Sequence, residues 1–310
     1  MGTVVEHGAD AAPSLATAEQ DLSAPDVSVV IPALNAAHTL GVQLDALAAQ
    51  VTGRSFEVLV ADNGSTDGTR DLVEGYRDRL PGVRWIDASA RTGSNVARNT
   101  GIAAARSDLV LLCDADDEVD PHWLEAMAVA LETADGVGGR LDRVKLNDAY
   151  IEKWGTPHGH NGVVAQLGFL PRPIGANAGL RKTVWERLGG FDETYVRGGT
   201  ETEFFWRLQL EGFSLVEVPD ALVHYRMRSS FKAGVRQMYI WGRQAPMLYR
   251  DFREQGMRWD RRESLRRTKW LVTTAPRALR SRDVRYQVAR EAAYRAGRVV
   301  GSVSFRVVYL

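Results

Sequence analysis

Three carboxylates fall within four residues at Asp114, Asp116 and Asp117, directly after the apolar run Leu109–Cys113. An apolar run that short, closed by acids, reads as a buried strand with charge at its C-terminal end. In open α/β sheets that edge is where ligands sit. Carboxylates this close repel one another, and a divalent cation such as Mg²⁺ or Mn²⁺ shared among them relieves the repulsion and can bridge to a diphosphate. Taken alone, the segment also fits an acidic turn capping a helix that starts near Pro121.

Further groups with chemical potential lie on either side. Asp62 ends the run Phe56–Ala61 and precedes Asn63-Gly64-Ser65-Thr66-Asp67-Gly68. There it can accept a hydrogen bond from a nucleobase or a ribose hydroxyl, or simply hold the turn, and Asp67 reads as a cap. Arg98 follows Thr92-Gly93-Ser94-Asn95, a helix start with free amides, and serves either base and phosphate oxygens or an ion pair. Glu201 and Glu203 open a helix behind Gly198-Gly199. Successive helical residues turn by about 100°, so only one of the two can face a cleft, where it would act as a general base. Dipole compensation in the first turn is the plainer role. His224, between Val223 and Tyr225 at a strand end, is a candidate metal ligand or a structural histidine. His158 and His160 lie in a Gly-rich stretch and lack zinc-site spacing.

These residues need elements to hold them. Val27–Pro32, Phe56–Ala61, Val83–Ile86 and Leu109–Cys113 read as strands, with helices at 36–50, 69–79, 93–105 and 121–134. That alternation predicts a parallel sheet with helices on both faces. Residues 136–175 are weakly periodic, with a strand near 140–146 and a long loop. Order returns at Asn177, with helices at 182–188 and 200–212 and two short strands at Phe213–Val218 and Ala221–Tyr225. A chain of 310 residues can bury a sizeable core. The single cysteine, Cys113, excludes a disulfide framework and reads as a small buried hydrophobe. Residues 1–24 read as a disordered tail and not a signal peptide, and no stretch is long and apolar enough to span a membrane.

The zero net charge hides an asymmetry: residues 229–310 carry 19 Lys and Arg against 6 Asp and Glu, and residues 1–228 carry 20 against 33. The basic part is interleaved with aromatics, Tyr239, Trp241, Tyr249, Trp259 and Trp270 among them. Such helices lie on anionic membrane surfaces or pack on an acidic core. An acidic body beside the tail repels phosphates, which argues against nucleic acid as a partner.

Taken together the motifs resemble the inverting family 2 glycosyltransferases with the GT-A fold. "VSVVIPALNAAHTL", "VLVADNGSTDGT", "GSNVARNTGI", "LVLLCDADDEVDP", "GANAGLRKTVWERLGGFDE", "GGTETEFFWRL" and "ALVHYR" occur in that family's order across roughly 27–228. The resemblance implies a mostly parallel central sheet flanked by helices over residues 25–228, with 229–310 as a helical extension. It implies nucleotide binding by Pro32, Asp62, Arg98 and Asp114, and a divalent metal (Mn²⁺ or Mg²⁺) on Asp116 and His224, with Asp117 as a further ligand. Glu201 falls where the family has its catalytic aspartate, and Asn177, Thr200 and Trp206 fall along the donor-sugar and acceptor cleft, with Gly175 and Gly179 beside Asn177. The implied reaction is a single inverting transfer from a nucleotide-diphosphate sugar, a UDP-sugar first, to a hydroxyl of a small-molecule, glycan or lipid-linked acceptor. The implied location is cytoplasmic, with peripheral contact to the inner face of the membrane. Two departures stand out. The family's Glu-Asp pair is Thr200-Glu201 here, and the Gln-x-x-Arg-Trp signature of processive synthases survives only as Gln237-Met238-Tyr239-Ile240-Trp241. A binding module without catalysis and a nucleotidyltransferase of related fold are the alternatives.

Overall fold

The computed structural model describes residues 24–148, 162–196 and 198–310; His158 and His160 lie outside them. The first strands are β1 (Val27–Ala33), β2 (Phe56–Asp62), β3 (Val83–Asp87) and β4 (Leu109–Cys113), separated by helices α1 (Leu40–Ala48), α2 (Thr69–Glu74) and α3 (Ser94–Ala104). β5 (Glu118–Val119), α4 (Trp123–Leu131), β6 (Gly136–Asp142), the hairpin β7 (Val164–Ala165) and β8 (Pro171–Arg172), and β9 (Asn177–Arg181) follow. The body ends with α5 (Lys182–Arg187), α6 (Thr200–Leu210) and β10 (Leu215–His224).

Eight strands form one sheet in the order β3-β2-β1-β4-β9-β6-β10-β5. The run from β3 to β4 is parallel, β9 enters antiparallel between β4 and β6, and β6–β10 is parallel again. The sheet is therefore parallel in its first half and mixed in its second. Side chains alternate across it: Val29, Ile31, Val58, Val60 and Leu111 pack on one face with α1 and α4, and Val30, Leu59, Val110 and Leu112 on the other with α5 and α6. Gly101 lets α3 lie directly on β1, because a Cβ there would stand 2.4 Å from a Val30 methyl.

Two expectations are corrected. The strand placed near 140–146 runs over Gly136–Asp142. Its glycines hide it from a β-propensity reading, yet a Cβ at Gly139 would meet the Ala221 carbonyl at 2.2 Å. The two strands expected at 213–218 and 221–225 are one, Leu215–His224, with a register shift between Val218 and Leu222. Pro219 has no N–H to donate to the ladder and falls inside that shift.

Beyond the body run α7 (Phe231–Phe252), α8 (Arg261–Thr274), a 3₁₀ turn (Ala275–Leu279) and α9 (Arg282–Ser304). Ala245, Met247, Leu248 and Phe252 of α7 join Tyr195 and Trp206 of the body in one apolar cluster that Met257 and Tyr309 complete. The basic extension is thus docked on the body along α7. α7 and α9 touch backbone to backbone: a Cβ at Gly242 would lie 1.9 Å from the Tyr294 carbonyl, and one at Gly297 2.2 Å from that of Tyr239.

Candidate active site

The C-terminal ends of β1 and β4, the start of α3 and the segment after β10 surround a cavity of about 1000 Å³. Pro32, Asn63, Gly93, Arg98, Asp114, Asp116, Arg226 and Arg228 are on its wall. β4 delivers the acids. Its buried residues end at Cys113, and the chain turns at once, so Asp114, Asp116 and Asp117 can each present an oxygen within 4.8 Å of the others.

The cluster is incompletely neutralised. Asp116 Oδ2 accepts from Arg228 Nη1 at 3.1 Å, and its backbone carbonyl accepts from Arg226 Nε at 2.8 Å. Asp117 is fully buried; its Oδ1 accepts from the Arg226 amide at 2.7 Å, but its Oδ2 has no partner. Burial and the neighbouring carboxylates hold Asp117 well above the ordinary carboxylate range. Burial pushes Asp114 up to about 6, against the attraction of Arg98 at 3.7 Å. A buried carboxylate oxygen with no donor costs free energy that a bound cation recovers. The donor set, three hard oxygens converging on one point, suits Mg²⁺ or Mn²⁺.

Arg98 links this cluster to α6. Its Nη1 donates to Asn95 Oδ1 and Thr200 Oγ1, both at 3.2 Å, and its buried Nε has no partner. Thr200 in turn donates to Glu201 Oε2 at 2.7 Å, while Glu201 Oε1 accepts from Arg172 Nη1 at 3.2 Å. Burial alone would raise the Glu201 carboxyl. Arg172, Arg98 and the Thr200 hydroxyl outweigh it and hold the group below its ordinary value, hence ionised. Gly175 leaves room here, since a Cβ on it would be 3.0 Å from Arg98 Nη2 and 3.5 Å from Glu201 Cδ. Glu203 turns away and binds Arg207 through both oxygens, at 2.7 and 3.1 Å.

Several expected site residues, like Thr200 and Glu201, are not on that wall and are already engaged by the chain. Asp62 is 3% exposed and off the cavity wall; its oxygens accept from the Ser65 amide at 2.8 Å and from Trp85 Nε1 at 2.9 Å, so it shapes the turn that puts Asn63 on the wall. His224 is not among the clustered ligands: its Nδ1 is 2.7 Å from Asp142 Oδ2 across the β6–β10 pair. Asn177 is fully buried and spends its amide inside the sheet, donating to the Arg140 and Ala221 carbonyls and accepting from Trp123 Nε1. Trp206 is fully buried under α7, its Nε1 on the Leu170 carbonyl at 2.7 Å. Gly179 faces Val137, Leu111 and Leu131 in the core. Asp67 is not the helix cap, which is Gly68; it accepts from the Thr69 amide and hydroxyl and from the Ala37 amide, and so ties this turn to the segment after β1.

Three residues escaped the sequence reading: Arg172, Arg226 and Arg228. Arg172 sits on a two-residue strand with no periodic signal. The two others follow the last strand as Arg-Met-Arg, a cation pair opposite a known acidic cluster, and that complementarity was available to find them.

The model of the family described as Glycosyl transferase family 2 matches residues 28–189, and that of Glycosyl transferase family group 2 matches 109–294. Glycosyltransferase AglE of Haloferax volcanii is 26% identical over 227 residues, which cover 70% of this chain and 74% of AglE. The uncharacterized glycosyltransferase alr2836 of Nostoc sp. is 33% identical over 132 residues, or 42% of this chain and 41% of that relative. Among solved structures, the mannosyltransferase PcManGT from Pyrobaculum calidifontis, in complex with GDP-Man and Mn²⁺, has a TM-score of 0.61 at 20% identity, covering 90% of this chain and 88% of that one. S. aureus TarS 1–349, in complex with UDP-GlcNAc, has a TM-score of 0.53 at 16% identity over 92% of this chain and 93% of that one. At such identities the structural likeness shows the fold alone, which is GT-A. The first family model covers more than half of the sequence, and with it the acidic cluster, Arg98 and Asn177. The chain belongs to glycosyl transferase family 2 and is a glycosyltransferase.

Proposed function

We propose that the cavity takes a nucleotide-diphosphate sugar whose diphosphate lies on a divalent metal held by Asp114, Asp116 and Asp117. The observation that carries this reading is the unpartnered, buried Asp117 Oδ2 beside Asp114 and Asp116, which are on the wall of a cavity large enough for such a donor. When bound, the ion supplies charge stabilisation to the departing diphosphate. Pro32, Asn63 and Gly93, on the side of the wall nearest β1 and β2, form the place for the base. Arg228, now on Asp116, is half-exposed and close enough to pair with a phosphate instead.

Glu201 is the proposed base. Its carboxylate, aimed by Thr200 and Arg172, takes the proton of an acceptor hydroxyl as that oxygen bonds to the anomeric carbon. The bond from that carbon to the phosphate oxygen breaks, and its electron pair leaves with the nucleoside diphosphate. A single displacement inverts the configuration. Glutamate is one methylene longer than the family's aspartate, and Thr200 occupies the place of its acidic neighbour.

The test is transfer or donor hydrolysis measured with a panel of UDP- and GDP-sugars, with Mn²⁺ and with EDTA. UDP-sugars come first in that panel. Loss of turnover with retained donor binding in Glu201→Gln is the expected result. Near wild-type turnover in that variant removes Glu201 from the reaction, and turnover indifferent to EDTA removes the metal.

A further inference from the structure

The basic extension is not uniform. α7 spends its apolar side on Tyr195 and Trp206, and α9 lies along α7. α8 is tied down on one side only: Ser264 is buried and donates to the Leu310 carbonyl at 2.6 Å, while Arg295 reaches Thr268 Oγ1 at 2.7 Å. On the other side Leu265 is 70% exposed and Val272 68%, and Leu279 in the 3₁₀ turn is 84% exposed. Leu265 and Val272 are seven residues apart, two helical turns, and so share a face.

Cations surround these side chains. Arg262, Arg266, Lys269, Arg277 and Arg280 are all exposed, and the only acid from 262 to 280 is Glu263. Arg266 pairs with Glu263. Arg262, Lys269, Arg277 and Arg280 make no ion pair among the described residues.

We propose that this face, residues 262–280, docks on an anionic lipid bilayer. Leu265, Val272 and Leu279 enter the boundary between headgroups and acyl chains, and the four unpaired cations meet lipid phosphates. The pattern favours lipid over protein. A protein interface gathers its apolar area into a centre depleted of charge, whereas here aliphatic side chains alternate with Arg and Lys. That alternation is the composition of a helix lying in a membrane interface. Charge complementarity also sets the orientation. Residues 1–228 carry 33 acids against 20 Lys and Arg, so an anionic surface repels the body while drawing this face in. The proposal is independent of the assignment of the active site.

The test is flotation of the full chain with vesicles of phosphatidylcholine alone and of phosphatidylcholine mixed with phosphatidylglycerol. Binding only to the mixed vesicles, weakened by salt, is expected. At roughly fivefold per basic residue near an anionic surface, replacing Arg262, Lys269, Arg277 and Arg280 together by Gln weakens binding by more than about a hundredfold. Leu265→Ser with Val272→Ser and Leu279→Ser weakens it as well. All seven positions are exposed, and an unchanged melting temperature confirms that each variant folds. Equal binding to both vesicle types, no binding to either, or undiminished binding by the Gln variant overturns the proposal. So does a dimer that the Ser variant dissociates without any flotation of the wild type, which would assign the face to a second copy of this chain.

Discussion

Glu57 and Asp117 are both fully buried carboxylates attached to the same sheet, and the chain neutralises the first and leaves the second short of partners. Glu57 lies near the N-terminal ends of the strands. Its Oε1 accepts from Ser28 Oγ and the Arg106 amide, both at 2.7 Å, and its Oε2 from Arg84 Nη2 at 2.8 Å and Arg106 Nε at 3.0 Å. Burial would raise Glu57, and these four donors outweigh it and hold the group below its ordinary value. At the opposite ends of the strands, Asp114, Asp116 and Asp117 share Arg98, Arg226 and Arg228 but keep a lone oxygen on Asp117, and the Asp114 and Asp117 carboxyls are raised. β2 thus begins at a carboxylate that the chain itself neutralises, whereas β4 leads into a cluster that keeps one buried oxygen without a donor.

The largest effect expected from this contrast is on activity. Asp116→Ala should lower transfer on the order of a thousandfold or more, because the charge stabilisation it helps position is worth several kcal/mol. Its melting temperature in EDTA should stay level or rise, since one of three mutually repelling charges has gone. Initial rates and a thermal melt on the same preparation check both halves. A variant that loses stability along with activity would make the acidic cluster structural, like Glu57.

The reverse is expected of Glu57→Gln. Breaking a buried ion pair by removing one partner costs about 3 kcal/mol, here tempered by the half-exposure of Arg84 and Arg106. Chemical denaturation reads that loss, while turnover per folded molecule stays at the wild-type level. Reduced turnover in the folded fraction would mean that the two ends of the sheet are coupled.

The two ends also differed in how far they could be read from the sequence. The gathering of Asp114, Asp116 and Asp117 at a strand end was legible because a short apolar run is followed at once by acids, and the neighbouring motifs set it apart from a plain acidic turn. The glycine-led start of its helix drew attention to Arg98 but left an ion pair and a ligand contact equally open. The parallel half of the sheet followed from strand–helix alternation, but β6 did not, because Gly136, Gly138 and Gly139 carry no β-propensity. For His224 and Asn177, type and position said nothing of their partners. Those partners are Asp142 and three groups from distant segments, two of them backbone carbonyls. The burial of Trp206 was not legible because its neighbours come from α7 and from Phe169 and Leu170, outside the motif-bearing segment. Motifs show which residues gather at a strand end, and only tertiary pairing shows which of them are already engaged.

A smaller effect separates the ends by ligand. Mn²⁺ at about a hundred times its dissociation constant should stabilise the protein by roughly 2.7 kcal/mol. Asp117→Asn should abolish that gain, whereas an Arg84→Gln variant, altered only beside Glu57, should keep it. Differential scanning fluorimetry with and without Mn²⁺ makes the comparison. Equal Mn²⁺ shifts in wild type and Asp117→Asn would place the ion elsewhere.

The smallest effect is in pH, and its sign differs at the two ends. Asp114 is raised in the folded protein to about 6 from an ordinary 3.8, chiefly by burial, so folding takes up a proton as the pH falls through that window. Metal-free protein should therefore gain stability between pH 7 and 5, by roughly 1 kcal/mol once solvent screening of the partly exposed Asp114 is allowed for. Glu57 is lowered, so its contribution is complete above the ordinary glutamate range and is lost as the pH falls through its folded value. The metal-free stability curve should accordingly rise on mild acidification and then turn down at more acidic pH. Mn²⁺ should invert the first limb, because protons compete with the ion for Asp114 and its stabilisation shrinks below about pH 6. Melting temperatures at a series of pH values, with EDTA and with Mn²⁺, give two curves that converge on acidification. Parallel curves would mean that the ion does not share oxygens with the raised carboxyl, and the contrast between the two ends would then rest on Glu57 alone.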